Sequence, residues 1–92
     1  MNNRVLVVED DKNLGKVLTD YLTSKNYLVK LAEDGEIGFD FFTNNDYDII
    51  ILDVMMPKKD GFSLAKDIRK MNKDIPIISV SYTHLRAHET SV

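Results

Sequence analysis

Val5-Leu6-Val7-Val8-Glu9-Asp10-Asp11 and Ile49-Ile50-Ile51-Leu52-Asp53 are built alike: an unbroken aliphatic run that stops on an acid. A continuous run of branched residues, rather than an alternation of apolar and polar, marks a strand covered on both faces. Such strands belong to parallel sheets flanked by helices. Between the two runs, Leu14, Val17, Leu18, Tyr21 and Leu22 recur at helical spacing, with Asp11 placed to cap the helix or complement its positive end. Leu28 to Ala32 reads as a short second strand, and Asp34-Gly35 turns the chain into a second helix. The inner face of that helix is predicted at Gly38, Phe39 and Phe42, with Ile37 and Phe41 nearer its edge.

Beyond Asp53, a loop with Pro57 and Gly61 leads to a third helical pattern, Phe62, Ala65, Ile68 and Met71, and Ile75-Pro76-Ile77-Ile78 opens a fourth strand. Proline is tolerated at a strand's start, where its missing N–H need not break the ladder. Strand and helix in alternation predict an α/β fold with a parallel sheet and helices on both faces. From Ser81 to Val92 neither alternation nor an apolar stripe continues.

The 92 residues, 43% hydrophobic and 29% charged with no cysteine, suit one small core held by packing alone. Disulfides, thiolate metal sites and cysteine nucleophiles are excluded. A net charge of −3 supplies no basic field for nucleic acid or anionic lipid, so direct nucleic-acid or membrane binding by this segment is not expected. The apolar start is too short for a signal peptide and no run reaches spanning length, which predicts a cytoplasmic chain. Lys66, Arg69, Lys70 and Lys73 read as the solvated face of the third helix.

In open parallel sheets ligands bind beyond the carboxyl ends of the strands. Glu9, Asp10 and Asp53 all fall at such ends, and the first and third strands can lie side by side. Three carboxylates in one crevice raise one another's pKa within ~4–6 Å, so such a cluster has a cation as its usual counterpart. An all-oxygen ligand set points to Mg2+ or Mn2+ rather than zinc. A divalent ion beside a carboxylate suggests phosphoryl chemistry. The alternative is that each acid only caps a helix or terminates a strand.

Val7-Val8-Glu9-Asp10-Asp11, Ile51-Leu52-Asp53-Val54-Met55-Met56-Pro57 and Asp60-Gly61, with Asp34-Gly35 and Asp48, resemble the signature of the receiver domain of two-component response regulators, over residues 1 to about 80. The run from Met56 to Ala65 is similar to receivers of winged-helix, OmpR/PhoB-type transcription regulators. The resemblance implies a flavodoxin-like, doubly wound sheet of order 2-1-3-4-5, here lacking the fifth β/α unit. It makes Asp53 the acceptor of a phosphoryl group from a sensor histidine kinase, and gives Mg2+ the ligands Glu9, Asp10, Asp53 and the Met55 carbonyl. Pro57 and Gly61 shape the loop, and Ser81 stands at the family's switch hydroxyl. The implied partners are the kinase, an output domain of DNA-binding type in the intact protein, and a second receiver there as a dimer.

Three features depart from that pattern. Tyr82 replaces a small residue after the switch position, no lysine occupies the phosphate-binding place of the fifth strand, and residues 81–92 continue nothing before them. The expected division is therefore a truncated receiver, 1–80, and a tail outside the family, 81–92, arising at a cloning, assembly or frameshift join. Without the lysine, phosphorylation is expected to be slow or absent, and without a fifth strand the fourth is an exposed edge. An inactive receiver fragment acting only in protein interaction is one alternative reading. An aspartate-nucleophile phosphatase is another, but Met55 stands where that class needs its second Asp. Otherwise the chain is read as a phosphoacceptor switch and not an enzyme. His84 and His88 have a helical metal-ligand spacing but no third ligand nearby in the sequence.

Overall fold

The computed structural model describes residues 3–53, 61–72 and 74–80, with no account of the side chains of Phe62 and Val80. Its elements run β1 (Arg4–Val8), α1 (Lys12–Ser24), β2 (Leu28–Ala32), α2 (Gly35–Asn44), β3 (Ile49–Asp53), α3 (Gly61–Met71) and β4 (Ile77–Val80). The four strands form one parallel sheet of order β2-β1-β3-β4. The expected order holds for the four strands described. Residues 54–60 and 81–92, which carry Met55, Pro57, Ser81, Tyr82, His84, His88 and the division at residue 80, lie outside the described residues.

β1 is central, and Val5, Leu6, Val7 and Val8 are all buried, as an uninterrupted aliphatic strand requires. Pairing Leu6 with Ile50 and Val8 with Leu52 and Ala32 lines these residues up on one sheet face. Leu64 and Ile68 of α3 close over that face with Ile75, and Phe39, Phe41 and Phe42 of α2 pack at its margin. Phe41, expected only at the edge of α2, packs half-buried against the core as Phe39 and Phe42 do, while Ile37 does stay at the edge. β3 buries Ile50 and Leu52 fully, but Ile49 and Ile51 on the opposite face are only half-buried.

Two helix faces differ from the periodic reading. In α1 the seam runs through Gly15, whose missing side chain lets the helix settle on Leu31; a Cβ there would stand 3.0 Å from Leu31 Cδ2. That contact rotates Val17 and Tyr21 outward, to 63% and 59% exposure, while Leu14, Leu18 and Leu22 remain half-buried. In α3 the buried pair is Leu64 and Ile68, one i, i+4 step, and Met71 lies 58% exposed. Arg69 also leaves the solvated face assigned to it, because its guanidinium donates to the Ile75 carbonyl and ties the end of α3 to the chain entering β4. Lys66 and Lys70 are exposed as expected, and Lys73 lies outside the described residues.

Local signals set the element ends. Asp11 accepts from Asn13 N–H at 2.9 Å and Leu14 N–H at 3.1 Å, and Asp34 accepts from Ile37 N–H at 2.8 Å. α1 ends in a Schellman arrangement: Tyr27 N–H donates to the Leu22 carbonyl and Asn26 N–H to that of Thr23, with Asn26 left-handed at φ 73°. Pro76 precedes β4, as the sequence allows, and its carbonyl accepts from Ile50 N–H at 3.0 Å. Among the described residues β4 is an edge strand, and Ile78 is 46% exposed.

Gly38 sets how closely α2 approaches β1. A Cβ at this position would lie 2.9 Å from Val8 Cγ2 and 3.2 Å from Cγ1, closer than packed carbon atoms tolerate. Helix propensity alone favours alanine over glycine by about 1 kcal/mol, but overpacking against a stiff valine costs roughly 1–3 kcal/mol. Gly38→Ala is therefore expected to lower the urea unfolding free energy, and adding Val8→Ala should reduce that penalty; equal or higher stability in Gly38→Ala alone would refute the close-approach account.

Candidate functional site: an acidic cluster at the strand ends

The chain runs from β1 outward to β2 and then returns past β1 to β3, so the crevice between β1 and β3 lies where the winding direction reverses. Glu9 and Asp10 follow the last residue of β1, and Asp53 is the last residue of β3. One carboxylate oxygen from each lies within 4.8 Å of the other two. The register explains the meeting, since Val8 pairs with Leu52 and leaves the following residues of both strands abreast.

The three acids differ in their surroundings. Asp10 is exposed, whereas Glu9 is 2% and Asp53 3% exposed. Glu9 is fixed by its main chain, whose N–H extends the ladder to the Ala32 carbonyl at 2.9 Å, and by Asp11 N–H, which donates to Oε2 at 2.9 Å. Its other oxygen, Oε1, is buried without a hydrogen-bond partner among the described residues. Burial pushes the Glu9 carboxyl up to about 8; the Asp11 N–H opposes the rise, and the neighbouring Asp53 and Asp10 carboxyls add to it. A buried, unpaired carboxylate oxygen facing two further carboxylates is a donor set that suits a hard divalent cation. The residues present therefore fit Mg2+, with Mn2+ as a chemical equivalent.

Of the residues singled out in the sequence, the structure brings Glu9, Asp10 and Asp53 together. Gly61 is the first residue of α3. Met55, Pro57 and Ser81 lie outside the described residues. Periodicity gave no sign that Asp11 serves twice, its side chain capping α1 while its N–H holds Glu9; the run of three consecutive acids was the available signal.

The family model for the response regulator receiver domain matches residues 5–90. The chain belongs to the response regulator receiver family. It is 51% identical over 83 residues to the transcriptional regulatory protein RprY of Bacteroides fragilis, a match covering 90% of this chain and 35% of that protein. The chain thus spans well under half the length of this curated relative. Among solved structures, the response regulator protein TrrA of Thermotoga maritima in complex with Mg2+-BeF superposes with a TM-score of 0.84 at 39% identity, over 95% of this chain and 76% of that one. TrrA in complex with the histidine kinase ThkA matches with a TM-score of 0.81 at 38% identity, over 88% and 69% of the respective chains. As a receiver domain the chain is not a classical enzyme. No helix of the described residues is long and apolar enough to cross a membrane.

The raised Glu9 pKa fixes the sign of a pH effect. Between the ordinary 4.5 and about 8, the folded chain holds a proton on Glu9 that the unfolded chain has released, so this group's contribution to stability falls as pH rises through that window. Without divalent ions, Glu9→Gln should flatten the decline in Tm between pH 5 and pH 8, and Mg2+ should raise the wild-type Tm more at pH 8 than at pH 5. Parallel pH profiles for wild type and Glu9→Gln would contradict the burial account.

Proposed function

We propose that this receiver takes a phosphoryl group from the phosphohistidine of a sensor histidine kinase onto Asp53. The observation that carries the reading is the near-complete burial of Asp53 within a three-carboxylate cluster at the carboxyl ends of β1 and β3. An Asp53 carboxylate oxygen attacks phosphorus as the histidine N–P bond breaks; the product is an acyl phosphate on Asp53, and the imidazole nitrogen keeps the bonding electron pair. Glu9 and Asp10, with Asp53 and the Met55 carbonyl, would hold Mg2+, Glu9 directly or through water, and bound there the ion would supply charge neutralisation at the site.

The fit of the acidic cluster to a hard cation supports the metal, and the likeness to TrrA, whose structures contain Mg2+-BeF and a histidine kinase, supports the donor class. Ser81 is assigned as the switch hydroxyl toward the phosphoryl group, with Pro57 and Gly61 shaping the loop after Asp53. In the intact protein the new charge, about −1.5 to −2, biases a surface that controls a DNA-binding output domain and a receiver dimer. The step is cytoplasmic, and residues 1–80 carry it.

Incubation with Mg2+ and a small acyl-phosphate donor, read by intact mass, tests the assignment. The wild-type chain should gain one phosphoryl group, slowly because no lysine stands at the phosphate-binding place, and both chelation of Mg2+ and Asp53→Asn should abolish the gain. Equal labelling of Asp53→Asn would remove Asp53 from the role, and no labelling of the wild type would favour an inactive receiver.

A further inference from the structure

The opposite end of the sheet, some five residues down β1 from the acidic cluster, carries a second concave feature. Arg4 and Leu28, the first residues of β1 and β2, pair in register and border an open cavity of about 340 Å3 whose lining also includes Lys30, Asn45 and Tyr47. That volume falls at the small end of the range for small-molecule pockets, ~300–1,000 Å3.

Its cations are set in place by aromatic rings. The Arg4 guanidinium carbon lies 5.7 Å from the centre of the Tyr47 ring, and Lys30 Nζ lies 4.7 Å from that of Phe41. Neither has a carboxylate within ion-pair distance among the described residues. Asp48 is held by the main chain of Arg4 rather than by its guanidinium: its carboxylate accepts the Arg4 N–H at 2.8 Å, and its own N–H donates to the Arg4 carbonyl. Burial raises the Tyr47 phenol above its ordinary pKa, against the opposing effects of the Arg4 charge and the Asn45 hydrogen bond.

Spacing narrows the choice of ligand. Lys30 stands two residues beyond the partner of Arg4 on the neighbouring strand, so both point from one sheet face with origins roughly 8 Å apart, from the spacing between strands and the rise along them. Each cation rests on its own ring, which suits two separated anionic groups better than a single one. We propose that this pocket binds a small dicarboxylate, one carboxylate on Arg4 and the other on Lys30, with its carbon chain lying against Leu28 and the Tyr47 ring. The ligand would bridge β1, β2 and the segment between α2 and β3, and so stabilise the folded chain by mass action.

Titration of the full chain with succinate, followed by amide NMR shifts, tests the site, with acetate and inorganic phosphate as separate arms. Saturable shifts centred on Arg4, Leu28, Lys30, Asn45 and Tyr47 are expected, with affinity about tenfold weaker in Arg4→Gln and in Lys30→Gln. Succinate should also raise the Tm of the wild type and not of the Arg4→Gln, Lys30→Gln double variant, both positions being exposed. Acetate or phosphate binding as tightly as succinate would overturn the two-point recognition. Undiminished succinate binding in the double variant would overturn the site itself.

Discussion

Burying Glu9 and Asp53 side by side is the constraint on which the arrangement of this chain turns. With almost no access to solvent the two acids cannot both ionise cheaply, so Glu9 keeps its proton up to about 8, and the Asp11 N–H on Glu9 Oε2 opposes that rise only in part. The uncompensated oxygen, Glu9 Oε1, shows where the balance is incomplete. Sheet register makes the juxtaposition unavoidable, because pairing Val8 with Leu52 in adjacent parallel strands sets the residues that follow next to each other.

The rest of the fold serves to hold those two strands fixed. β1 is enclosed on both faces, by α1 on one side and by α2 and α3 on the other, and Gly15 and Gly38 let the first two helices come close. Leu64 and Ile68 seal the α3 contact, while the Arg69 guanidinium on the Ile75 carbonyl anchors the chain that leads into β4.

Much of this is legible in the residues themselves. Aliphatic runs ending on acids specify buried parallel strands and place their carboxylates in one crevice, and Asp11 and Asp34 announce the starts of their helices. What periodicity misjudges is the rotation of helices about their axes. Val17, Tyr21 and Met71 satisfy helical spacing yet face outward, since the seam is decided by a close glycine contact in α1 and by the Leu64, Ile68 pair in α3. Hydrophobic spacing counts apolar residues, whereas close approach depends on an absent side chain. Similarly, Arg69 looks like one more solvated charge until the chain after α3 brings the Ile75 carbonyl within reach. The cluster's membership could be read from sequence, but the unequal burial of Glu9 and Asp10, neighbours in the chain, could not: it follows from where the ladder ends and α1 begins.

The central claim is that the three carboxylates form one site for a hard divalent cation. Paramagnetic broadening of amide signals by substoichiometric Mn2+ tests it most directly. The account predicts selective loss of the signals of Glu9, Asp10, Asp11 and Asp53, reversed by excess Mg2+ and abolished by Asp10→Asn with Asp53→Asn. Broadening centred on other acids, or spread evenly over the exposed ones, would contradict it.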